Sequence, residues 1–71
     1  MKTEHINNLI SLVAMTVDEL HRGEHLAPID AMEKHLKNNP DLYGDVPEEV
    51  AKHAINCVTA INNHINNERN S

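Results

Sequence analysis

The chain has no phenylalanine and no tryptophan, and Tyr43 is the single tyrosine among its 71 residues. A core without other rings must be assembled from Leu, Ile, Val, Ala and Met, which suits helix-on-helix packing. The same absence removes the stacking platforms with which single-strand nucleic-acid binders hold bases. Cations are scarce as well: six Lys and Arg against eleven Asp and Glu leave a net charge of −5, the reverse of a phosphate-binding footprint. Direct nucleic-acid binding is therefore not expected. Cysteine occurs once, as Cys57, so a disulfide is possible only to another molecule. The two glycines, Gly23 and Gly44, are too few and too far apart for a phosphate-cradling loop. H-E-x-x-H and G-x-S-x-G are also missing. A chain this small has little room for a pocket that excludes water, and the reading is a protein that is not an enzyme.

Long apolar runs are lacking too. The stretch from Leu9 to Val17 falls far short of the ~20 residues that a membrane span requires. Lys2 ahead of it faintly imitates a signal peptide. Against that, Glu4, His5, Asn7 and Asn8 interrupt the approach, and no small-x-small cleavage site precedes Asp18-Glu19. The expectation is a cytoplasmic protein without membrane contact. Its length allows one small domain, residues 1–71. Such a domain buries only about 60% of the surface of its unfolded chain. Below roughly 70–80 residues a lone core usually needs disulfides, a metal or a second chain.

What is present is helical periodicity. Ile6, Ile10, Val13, Val17 and Leu20 repeat at helical spacing, and Leu9 widens their stripe. This predicts a first helix over about 4–22, with Thr3 as N-cap and Gly23 as stop. Leu12 and Met15 fall outside that stripe, which implies that the helix packs on two sides. A shorter helix is expected over 28–38, opened by Pro28, carrying Ile29, Met32 and Leu36, and ended by Asn39-Pro40. Residues 41–44 read as a loop. Asp45-Val46-Pro47-Glu48 reads as a capping box that opens a third helix over 47–67, before a polar end at 68–71 that is expected to fray. Ala51, Ala54, Val58, Ile61 and Ile65 form its seam. The four-residue string HINN at His5 and again at His64 marks where two unrelated seams end. It is read as coincidence, since the flanking sequences do not match.

Six histidines are the main hint of chemistry. His21 and His25 have the i,i+4 spacing of a helical metal pair, although Gly23 lies between them. His53 and Cys57 are also four apart, on one edge of the third helix with His64 two turns on. Imidazole with thiolate is a sensible zinc or copper set. As ordinary alternatives, histidines at a helix C-terminus suit the dipole, and a single cysteine is commonly a small hydrophobe.

The fold expected from these features is an all-α, long-short-long three-helix domain, completed as a bundle by homodimerisation in which the two long helices pair with their counterparts. The function expected is a small non-enzymatic interaction or regulatory protein that binds protein, itself included, through an apolar helical face. Leu12, Met15, Leu42 and Tyr43 are the contact candidates, being apolar residues that the main seams leave unclaimed. The alternative is a metal- or redox-responsive module using His53 and Cys57 with help from His21, His25 or His64. A further alternative is an inhibitor carried by a mobile element and aimed at a host enzyme.

Overall fold

In the computed structural model, residues 2–23 and 28–69 are described. They form four helices, α1 (Thr3–Arg22), α2 (Pro28–Asn38), α3 (Pro40–Tyr43) and α4 (Glu48–Arg69). No strand occurs among the described residues, so the chain is all-α. No helix among them is long and apolar enough to cross a membrane.

The first helix starts one residue earlier than Thr3 acting as a cap would give. Lys2 is the N-cap, in extended backbone, and its side chain makes no capping hydrogen bond. Its carbonyl instead accepts from the amides of His5 and Ile6 at 3.0 and 3.1 Å. Gly23 ends the helix in the left-handed region, at φ 69°, and its N–H donates to the Glu19 carbonyl at 2.9 Å. The carbonyls left open at this end are met from the far end of the chain. The Arg69 guanidinium donates to the carbonyls of Leu20 and His21, at 3.3 and 2.5 Å. This ties the last turn of α4 to the last turn of α1, where the helix dipole also favours a cation.

The stretch 41–44, expected as a loop, is mostly helical, because Pro40 opens a single turn. Its fixed φ suits a first helical position, and the Leu42 and Tyr43 amides donate back to Asn39 O at 3.1 and 3.3 Å. Gly44 follows this turn in ordinary right-handed backbone, with φ −57°. It is required for space, since a Cβ there would be driven into the Pro40 carbonyl oxygen.

Packing brings α1, α2 and α4 into mutual contact, with α3 set against α1 and α2. Leu20, Met32 and Val58 form the enclosed cluster. Met32 and Val58 are almost wholly removed from solvent, at 1% and 0% exposure. Leu12, Val13, Val17, Ile29, Leu36, Ala54, Ile55 and Ile65 pack around them. The buried face of α1 centres on Leu9, Thr16 and Leu20. At about 100° per residue that is ~50° round from the stripe that its aliphatic spacing predicts. Two consequences follow. Leu12 turns towards the core, and Ile10, expected inside, is 60% exposed. Thr16 can be buried without cost to its hydroxyl, which donates to the Leu12 carbonyl at 2.7 Å.

Candidate functional site

The four contact candidates converge. Leu12 and Met15 from α1, and Leu42 and Tyr43 from α3, line one groove whose opposite wall comes from α2, with Ala31, Met32 and His35. The groove encloses about 300 Å³. Leu12 and Met15 share the flank of α1 that meets α2 and α3. Tyr43 is brought alongside because Pro40 turns the chain immediately after α2.

Exposure divides the four into floor and rim. Tyr43 is buried, at 7% exposure, while Met15 and Leu42 stand open at 62% and 38%. The Tyr43 ring meets the His35 imidazole edge-on, with centroids 5.5 Å apart and planes at 72°, a favourable arrangement for aromatic pairs. Burial pushes the Tyr43 hydroxyl pKa above its ordinary value. His35 is held in turn by Asn39, whose Nδ2 lies 3.1 Å from the imidazole Nδ1 and donates to the His35 carbonyl at 2.8 Å. At the other end of the groove the Asn8 amide donates to the Leu42 carbonyl at 3.1 Å, fixing α3 against α1.

The lining is mainly apolar. Its polar groups are Asn8, Ser11, Thr16, Glu19 and His35, and Glu19 is the one carboxylate. Thr16 and His35 were not singled out by sequence reasoning. Their signal was available, since Thr16 is four residues after Leu12 and His35 three after Met32, which puts each on the same face as an apolar groove residue.

A second polar feature pins the entrance to α1. Asp45 accepts from the Lys2 backbone N–H at 2.6 Å and pairs with His5 Nδ1. These contacts hold its carboxyl below the ordinary value, the hydrogen bond from His5 contributing most. Asp45 was expected to cap the helix that follows it; α4 begins only at Glu48, and the Asp45 side chain bridges back to Lys2 and His5.

Among the described residues the metal candidates are not brought together. His53 and Cys57 are exposed one turn apart on α4. His21 lies at the opposite end of the α1–α4 pair, beside Ile65, Glu68 and Arg69. His64 pairs with Glu68 at 3.1 Å, and His25 lies outside the described residues. Among the described residues no group of three or more His, Cys, Asp or Glu could hold a metal ion. His53 and Cys57 would supply two ligands, half of a tetrahedral set.

Compared with protein-family models, with curated proteins and with solved structures, the chain matches none of them.

Proposed function

We propose that the protein is a small non-enzymatic binding module whose α1–α2–α3 groove accepts an amphipathic helix of a protein partner. The observation that carries this reading is the convergence of Leu12, Met15, Leu42 and Tyr43 on one groove, with a buried floor and an exposed apolar rim. Helix-in-groove recognition uses this combination, with apolar anchors spaced along one helix face entering a trough between helices. Exposed methionine at the rim suits the role, because its flexible thioether adapts to different apolar shapes.

Charge defines the partner further. Glu19 stands in the groove wall, Glu4 lies on the neighbouring solvent face of α1, and the chain carries −5 overall. A helix with Lys or Arg flanking its apolar face would be drawn in faster and held in register.

The test uses a synthetic amphipathic helix of Leu and Lys as probe, titrated against the wild-type chain and against a Met15→Gln/Leu42→Gln variant, which removes the apolar anchors without adding charge. Both substitutions fall on exposed positions, so circular dichroism should be unchanged. Binding should weaken by about tenfold or more, as expected for loss of two rim anchors. Equal binding by the two proteins, or equal binding of a Leu/Glu probe, would rule the groove out.

A further inference from the structure

We infer that Glu19 selects the partner, by taking one Lys or Arg placed a turn beyond the end of the partner's apolar stripe. This rests on the groove reading above and adds to it the residue that sets register. Glu19 follows Met15 by four residues and Leu12 by seven, so the three share one face of α1. It lines the groove with them and is half-buried. Among the described residues no cation answers its carboxylate. Arg22, in the next turn, pairs with Asp18 at 2.9 Å, and Arg69 donates to the carbonyls of Leu20 and His21.

The other polar groups that could meet a ligand are engaged within the chain. The Asn8 amide donates to the Leu42 carbonyl, the Thr16 hydroxyl to the Leu12 carbonyl, and His35 is held by Asn39. Glu19 is left with a charge, partly withdrawn from water, and no partner for it. Partial burial of an unpaired carboxylate is unfavourable, and a cation supplied from outside offsets that cost.

The groove is therefore polarised. Asn8 and Glu19 mark its two ends along α1, eleven residues apart, or ~16 Å at 1.5 Å per residue. The walls from α2 and α3, with Pro28, Ala31, Met32, His35, Leu42 and Tyr43, bring no carboxylate. Glu19 lies ~6 Å past Met15 along the helix axis, so a base that meets it stands about one turn beyond the partner residue seated on Met15. A base at the Asn8 end finds no charge. The net charge of −5 attracts any basic helix, whereas Glu19 rewards one position on it.

Fluorescence anisotropy with two labelled helical peptides of equal charge and the same Leu stripe decides the matter. One carries a Lys a turn beyond each end of the stripe, which serves either direction of docking. The other carries the same two Lys on the face opposite the stripe. The wild type should bind the first about tenfold more tightly, as a close interfacial charge pair allows. Glu19→Gln, a change between good helix formers, should keep its circular dichroism and bind both peptides alike. Glu4→Gln removes an equal charge from an exposed site of the same helix and should keep the tenfold preference. Equal binding of the two peptides by the wild type overturns the inference, as does a preference that survives Glu19→Gln or one that Glu4→Gln also abolishes. The Met15→Gln/Leu42→Gln variant separates the two readings. If it binds weakly while Glu19→Gln matches the wild type, the groove stands and Glu19 does not read the partner. If it binds as the wild type does, or the wild type binds neither peptide, the groove itself fails.

Discussion

Asp45 shows how one carboxylate can organise a terminus. It collects the Lys2 backbone N–H and the His5 ring, joining the first turn of α1 to the segment between α3 and α4. Its pKa is held below the ordinary value, chiefly by the hydrogen bond from His5. The folded state therefore binds this proton more weakly than the unfolded chain does. The stabilisation is present above the ordinary aspartate value of about 3.9 and is lost as pH falls through the lowered one. In a carboxyl-carbon NMR titration Asp45 should have its midpoint below that value, and Asp45→Asn should leave the amides of α1's first turn exchanging faster. A midpoint at or above the ordinary value would mean that the latch does not form in solution. The bridge spans 40 residues of sequence. Reading the local string around Asp45 yields a helix cap, because spacing rules see only neighbours within a turn or two.

The three longer helices cover the stretches where apolar spacing predicts helix, since several turns of a repeat suffice to fix its period. α3 could not be read that way. Four residues make a single turn, shorter than any period, and its only sequence mark is Pro40 four positions before Gly44. Rotation of α1 escaped for another reason. Ile10, Leu9 and Leu12 are equally aliphatic, and which of them goes inside depends on where α2 and α3 settle. The four contact candidates were legible as apolar residues without a seam; the groove that gathers them was not, because it needs α3 as an element. This gives Gly44 a role in the site. With a Cβ at position 44 directed into the Pro40 carbonyl oxygen, Gly44→Ala must displace α3. It should cost about 1–3 kcal/mol, the usual penalty of overpacking. Chemical-shift changes should centre on Leu42, Tyr43 and His35 and leave the contact of Arg69 with α1 unaffected. A variant as stable as wild type, with those shifts unmoved, would show that α3 has room to spare.

For the whole molecule the governing fact is how little is enclosed. Among the described residues the buried hydrophobics are Leu9, Leu20, Met32, Tyr43 and Val58, and only Met32 and Val58 are below 2% exposure. The radius of gyration is 12.6 Å, against about 11 Å for a compact 71-residue chain, because the two long helices draw the molecule out to 41 × 19 × 16 Å. A core this thin supplies no more than about 3–5 kcal/mol, so anything that covers the α1–α4 face contributes a large share of the total. If a second copy provides that cover, folding and association are linked and the melting temperature must depend on concentration. A tenfold increase in protein adds about 1.4 kcal/mol per dimer, or ~0.7 kcal/mol per chain. At 4–8 °C per kcal/mol for a domain of this size, the melting temperature should rise by ~3–6 °C. A wild-type melting temperature that stays fixed over a hundredfold range of concentration would mean that the thin core is sufficient by itself.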